Sequence, residues 1–186
     1  MKRKVAVLVG SLRKGSFSRT MAKALCGLVP ELECEIVEIG QLQLYNQDLD
    51  EKPPQEWVAF RDRIKAADAV LFVTPEYNRS VPGVLKNAID VGSRPYGHNA
   101  FAKKPDAVVS VSPGALAAFG ANHHLRQSLV FLDMPTMQQP EAYIGGVSKL
   151  LDEQGGVVKE ETREFLRKIM QSFAAWIDAN GAKIAA

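Results

Sequence analysis

Two kinds of apolar run alternate along this chain. Val5-Ala6-Val7-Leu8-Val9 is continuous and ends at Gly10. Val70-Leu71-Phe72-Val73 and Ala107-Val108-Val109-Ser110-Val111 have the same character. Such runs read as strands buried on both faces, the habit of parallel sheets. Glu35-Ile36-Val37-Glu38-Ile39 alternates polar and apolar, which predicts an edge strand. A fifth strand is placed from Met134 to Gln139, where the polar residues suit the opposite edge. Between these lie helical stripes. Met21, Leu25 and Leu28 share one helix face, with Ser16 or Ser18 as the cap and Pro30 closing it. Trp57, Phe60, Ile64 and Ala67 form a second stripe, after Pro53-Pro54. A third helix is expected to begin at Pro82 and run to about Val91. Asn122 is the expected cap of a fourth, through about Leu132. Phe165, Leu166, Ile169, Phe173 and Trp176 mark the last, with Asn180-Gly181 as its stop. Strands alternating with helices predict an α/β fold, a doubly wound parallel sheet with helices on both faces.

The length, 186 residues, fits one domain over residues 1–186. Lys+Arg 23 against Asp+Glu 21 gives a net charge of +2, too balanced for a nucleic-acid or membrane-surface binder. The two cysteines, Cys26 and Cys34, belong to no CxxC pair, so two partly buried free thiols are expected in place of a disulfide or zinc site. No apolar stretch approaches the roughly 18 residues that span a bilayer. A strand starting near the N-terminus leaves no room for a signal peptide, and a cytoplasmic location is expected. His123 and His124 are adjacent, so on a helix they point about 100° apart, unlike an i,i+4 metal pair. No metal role is expected. Lys103-Lys104 reads as a solvated turn.

In sheets of this kind ligands bind at the carboxyl ends of the strands, near the switch point. After the first strand comes Gly10-Ser11-Leu12-Arg13-Lys14-Gly15-Ser16-Phe17-Ser18. Glycines, hydroxyls and an arginine ahead of a helix N-terminus suit a terminal phosphate. A Ser-capped turn fits the same residues. Gly10 and Gly15 have P-loop spacing, but Ser16-Phe17 stand where a lysine and a Mg²⁺-binding hydroxyl belong. The dinucleotide pattern G-x-G-x-x-G is absent, which makes Glu38 a solvated edge residue. A phosphoacceptor receiver domain is excluded as well, because it needs acidic residues where this chain has Gly10 and Pro75.

After the third strand comes Thr74-Pro75-Glu76-Tyr77-Asn78-Arg79-Ser80-Val81-Pro82-Gly83. Pro75 and Asn78 suit a rigid turn with outward N–H groups, able to meet the polar edge of a planar ring. An ordinary tight turn would use the same residues. These two segments, with Leu85-Lys86-Asn87-Ala88-Ile89-Asp90, Pro140-Glu141 and Gly145-Gly146, together resemble the NADPH-dependent FMN reductase family, and within it the bacterial chromate/quinone reductases.

That resemblance implies a flavodoxin-like sheet of five parallel strands in the order 2-1-3-4-5. It implies noncovalent FMN, NADPH or NADH as donor, and quinones or chromate as acceptors. Ser11, Arg13, Ser16, Phe17 and Ser18 would hold the FMN phosphate; Pro75, Glu76, Tyr77 and Asn78 would border the ring, and Ser112 would complete its rim. Many relatives carry Asn where this chain has Ser18. The cofactor carries the redox chemistry, so no catalytic side chain is required, and Glu76 is expected to act through its backbone. Arg79 is a candidate for the donor's phosphates or an anionic acceptor, or else a surface arginine. The apolar run ending Leu129-Val130-Phe131-Leu132 wants burial on a second face, which predicts a homo-oligomer, and the resemblance implies a homodimer pairing into a homotetramer. Arg126 and Glu141 are candidates for contacts across that interface. A flavodoxin-type electron carrier and a reductase of free flavin or azo compounds are the alternatives.

Overall fold

The computed structural model describes residues 2–181. Its elements in chain order are β1 (Arg3–Val9), α1 (Phe17–Cys26), β2 (Leu32–Ile36), α2 (Gln55–Ala66), β3 (Ala69–Thr74), α3 (Gly83–Gly92), β4 (Asp106–Val111), α4 (Phe119–Phe131), β5 (Ala142–Ile144) and α5 (Glu160–Asn180). All five strands are parallel, in the order β2-β1-β3-β4-β5. The three continuous apolar runs occupy the middle of the sheet. Every residue of β3 and β4 is buried, because helices cover both faces. One face packs Met21 and Leu25 of α1 with Leu166, Ile169 and Phe173 of α5. The other packs Trp57, Phe60 and Ile64 of α2 with Leu85 of α3 and Leu125 and Leu129 of α4.

Five local expectations need correction. The edge strand β2 begins at Leu32, because pairing starts opposite Arg3 and ends opposite Val7; Glu38 and Ile39 lie past it. The segment 134–139 supplies only a bridge from Thr136 to Asp106, and the ladder with β4 forms at Ala142–Ile144. Pro135 and Pro140, which have no N–H to donate, bracket the segment that fails to pair. Asn122 does not cap α4. It lies inside the helix, fully buried, and donates from Nδ2 to the Ser110 hydroxyl at 3.3 Å. Phe165 is exposed, off the buried face of α5. Lys104 is not a solvated turn residue: its ammonium donates to the carbonyls of Lys65 and Ala67, satisfying the C-terminal end of α2. Burial there holds its pKa below the usual lysine value. Cys26 and Cys34 are half-buried free thiols, as expected.

Candidate functional site

The loop from β1 to α1 is fixed at both ends by hydrogen bonds. Gly10 N–H donates to the carbonyl of Val73 at 2.9 Å, and a Cβ at Gly10 would sit 2.6 Å from Thr74 Oγ1. Only glycine lets the ends of β1 and β3 come this close. Ser16 is the N-cap of α1, its Oγ accepting from Arg19 N–H at 3.1 Å. That bond uses a lone pair and leaves the hydroxyl proton to donate elsewhere. The N–H groups of Phe17 and Ser18, in the first turn, have no intrahelical acceptor. The Arg13 guanidinium lies 5.3 Å from the centre of the Phe17 ring.

The loop after β3 closes in a two-residue turn. Tyr77 and Ser80 exchange both backbone hydrogen bonds, at 3.1 and 3.0 Å, around Asn78 and Arg79 with φ of 51° and 64°. Two successive left-handed residues are the geometry of a type I′ turn. Asn tolerates it, whereas Arg adopts it only when the surroundings hold it. The Glu76 side chain supplies part of that hold. Its Oε2 accepts from Ala121 N–H at 3.1 Å, and its Oε1 accepts from Arg79 Nη1 at 3.3 Å. Glu76 therefore caps α4 from a distant loop, a charge-assisted bond at the positive end of the helix dipole. A Cβ at Gly120 would stand 3.0 Å from that carboxylate oxygen, so this residue too must be small. Glu76 thus acts through its side chain as well as by its place in the backbone.

The two loops meet. Ser11, Arg13, Ser16, Phe17, Ser18, Pro75, Glu76, Tyr77 and Ser112 line one cavity of about 370 Å³ at the carboxyl ends of β1, β3 and β4. These are nine of the ten residues expected to bind the cofactor; Asn78, the tenth, lies in the turn after Tyr77 and does not line the cavity. Arg79 is also outside the lining, and its side chain is 73% exposed. Val111 and Pro113, flanking Ser112, join the wall and were not anticipated. Val111 ends β4 and Pro113 follows it, and that place at the carboxyl end of the fourth strand was the signal that could have found them.

Beyond Ser112 the loop runs through Ala117 and Ala118, both left-handed, into α4. Gly114 N–H donates to Ser112 Oγ at 3.0 Å, and Gly145 packs against the Gly114 carbonyl. Sequence reasoning also missed an aromatic group nearby. Phe119 packs on His123 and Tyr143; Tyr143 donates to Glu141 at 2.7 Å, and its hydroxyl meets His123 Nε2 at 2.8 Å. Burial and the Glu141 carboxylate push the Tyr143 phenol up to about 12. Glu141 is exposed and serves this group. Arg126 is tied within the chain, donating to Asn122 Oδ1 and the Met137 carbonyl, both at 2.9 Å. His124 turns the other way, with Nδ1 2.8 Å from Ser80 Oγ.

Chemically the cavity has two ends. One presents the hydroxyls of Ser11, Ser16 and Ser18, a guanidinium and a helix N-terminus, a donor set that fits a phosphate dianion. The other is walled by Pro75, Tyr77, Val111 and Pro113, which suits a flat, largely apolar ring.

Known proteins resemble this chain in sequence and fold. The family profile described as NADPH-dependent FMN reductase matches residues 3–149. A quinone reductase of Pseudomonas putida is 62% identical over 180 residues, covering 96% of both chains. A 2-hydroxy-1,4-benzoquinone reductase of a Burkholderia species is 46% identical over 175 residues, covering 94% of this chain and 96% of the other. Among solved structures, FerB, a flavoenzyme NAD(P)H:(acceptor) oxidoreductase from Paracoccus denitrificans, superposes with a TM-score of 0.92 at 42% identity. That match covers 97% of this chain and 100% of FerB.

Proposed function

This chain belongs to the NADPH-dependent FMN reductase family, and from that premise we propose that it uses NAD(P)H to reduce quinones through FMN held in the 370 Å³ cavity. The observation that carries the reading is the convergence of two loops, 55 or more residues apart in sequence, on one cavity with an anionic-ligand end and a ring-binding end. When bound, FMN supplies two-electron chemistry between a reduced nicotinamide and an acceptor. Ser11, Arg13, Ser16 and Ser18, with the free N–H groups of α1, hold the phosphate. Phe17 braces Arg13 by stacking. Pro75, Tyr77 and Ser112 border the ring, while Glu76 and the Asn78 turn fix the loop that presents Tyr77.

One binding site that would serve donor and acceptor in turn would give ping-pong kinetics. Double-reciprocal plots of NAD(P)H against benzoquinone are expected to be parallel; intersecting lines would overturn the shared site. A flavodoxin-type carrier, the competing class, would bind FMN but oxidise NAD(P)H with benzoquinone only slowly. Chromate is a further proposed acceptor, and Arg79, exposed beside the site, is the cation that would draw it in. Free flavins and azo compounds belong in the same acceptor panel.

We further propose a cytoplasmic homodimer that pairs into a homotetramer. The loop toward Met134-Pro135 does not cover the apolar surplus of α4: Val130 is 77% exposed and Phe131 74%. Phe131 also lines a groove of about 340 Å³ between α3 and α4. Arg126 is occupied inside the chain, so the contact rests on these apolar residues, with Glu141 on the exposed side. Light scattering should give a multiple of 20.4 kDa at micromolar concentration. Full activity at the monomer mass would refute the assembly.

A further inference from the structure

We propose that a second cavity, on the outer flank of the phosphate loop, receives the 2′-phosphate of NADPH, with Lys14 and Arg19 as its cations and Glu38 tuning the preference over NADH. The inference deepens the donor chemistry proposed above and rests on that reading.

The cavity, of about 230 Å³, opens between the loop after β1 and the segment after β2. Arg13, Lys14, Arg19 and Glu38 supply its charge. It shares Ser11 and Arg13 with the FMN cavity, so one wall separates the two. A dinucleotide whose nicotinamide end lies over the first cavity can cross that wall with its adenosine end. The division of residues keeps the sites distinct. Ser16 and Ser18 line only the first, whereas Lys14, Arg19 and Glu38 line only the second.

Charge selects the ligand. Glu38 accepts from both terminal nitrogens of Arg19, from Nη1 at 3.1 Å and from Nη2. The two form a neutral unit in a forked geometry. Among the described residues neither Lys14 nor Arg13 pairs with a carboxylate, so the cavity keeps a positive surplus. In dinucleotide-binding sheets a carboxylate past the second strand hydrogen-bonds a ribose 2′-hydroxyl, while an arginine there accommodates a 2′-phosphate. This chain lacks their glycine fingerprint, but Glu38 is no isolated edge residue, since it lines the cavity bonded to Arg19. Here both stand together, and the arginine holds the carboxylate. The hydrogen bond from Arg19 keeps Glu38 below the usual carboxylate range, so it is ionised whenever the pair is formed. A doubly charged phosphate competes with Glu38 for Arg19, and Lys14 adds the attraction that a bare hydroxyl does not feel.

A phosphorylated ribose also occurs in the adenylate half of FAD, and the test separates the two sources. FMN-loaded protein is titrated by calorimetry with 2′,5′-ADP, with 5′-ADP and with FAD, and KM is measured for NADPH and NADH with benzoquinone. Wild type should bind 2′,5′-ADP about tenfold tighter than 5′-ADP, the scale of one charge-assisted contact. Lys14→Ala should remove about that factor and raise KM for NADPH in proportion, with KM for NADH and FMN content unchanged. Glu38→Gln should act oppositely, freeing Arg19 and tightening 2′,5′-ADP about threefold. Equal binding of the two ADP isomers overturns the proposal, as does an equal change in KM for both donors. Loss of FMN from Lys14→Ala would assign that lysine to the flavin phosphate instead. Occupation by FAD without 2′,5′-ADP binding would make the cavity an FAD site. Failure to oxidise either donor would sink the function proposed above, while binding of 2′,5′-ADP would still decide this cavity.

Discussion

Asp106→Asn is expected to stabilise the fold above pH 7 by about 3–4 kcal/mol, with the gain vanishing near pH 4. Asp106 opens β4 at the end of the strands opposite the site and is fully buried. Its Oδ2 accepts from Thr136 at 2.8 Å, but Oδ1 is buried with no partner. Burial pushes the carboxyl from 3.8 up to about 7, against the Thr136 hydrogen bond and the charge of Arg126, which pull it down. The folded chain therefore holds this proton more tightly than the unfolded one. The stability it contributes is complete below about pH 4 and is lost as pH rises through about 7. Asn keeps the shape, accepts from Thr136 with its carbonyl oxygen, and carries no charge at any pH. Urea unfolding of both proteins at pH 5 and pH 8, at constant FMN, measures the difference. An unchanged gap between the two pH values would show that Asp106 ionises freely in the fold. Activity should not change, since the residue lies a full strand length from the cavity.

Arg13→Ala should weaken FMN binding by about 1.5–3 kcal/mol, roughly 10- to 150-fold, while leaving riboflavin affinity nearly unchanged. The asymmetry follows from the two-ended cavity. Arg13 lies at the anionic end with Ser11, Ser16 and Ser18, and riboflavin brings no charge there. Stacking on Phe17 limits the freedom of the guanidinium before the ligand arrives, so less entropy is lost on binding. Removing it leaves the helix N-terminus and three hydroxyls, which is why a residual preference for FMN over riboflavin should survive. Fluorescence quenching of both flavins on titration with flavin-free protein gives the two affinities. Equal losses for FMN and riboflavin would move Arg13 away from the phosphate and refute the assignment of the loop.

Much of this was legible in the residues. The uninterrupted runs at 5–9, 70–73 and 107–111 could be satisfied only by strands covered on both faces, and they became the three central strands. Gly10 and the hydroxyls that follow it announced a close turn into a helix, and Ser16 caps that helix as a serine in this position should. Errors fell where partners, not pattern, decide. The alternation at 35–39 is real, but the register with β1 placed the ladder at 32–36. The segment 134–139 has strand-like composition, yet Pro135 within it and Pro140 just past it cannot donate to β4, and a shorter segment took the edge. Asn122 has the identity of a cap; the Glu76 carboxylate, 45 residues before the Ala121 N–H from which it accepts, filled that role first.

By itself, then, the chain's order of residues determined the layers and the close turn into the Ser16-capped helix, because these follow from local periodicity and local hydrogen-bond supply. The residues expected around the cofactor followed from a family resemblance, and nine of them line one cavity. Tertiary structure alone decided that Glu76 caps α4 and that Lys104 caps α2. It also decided that Arg126 turns inward, that Val130 and Phe131 stay bare, and that Arg19 closes on Glu38 at the mouth of a second cavity. Each of these is a long-range pairing between a charged or apolar group and a surface built by another element. No window of sequence contains both halves, and the energy of either half alone is the same wherever the other lies.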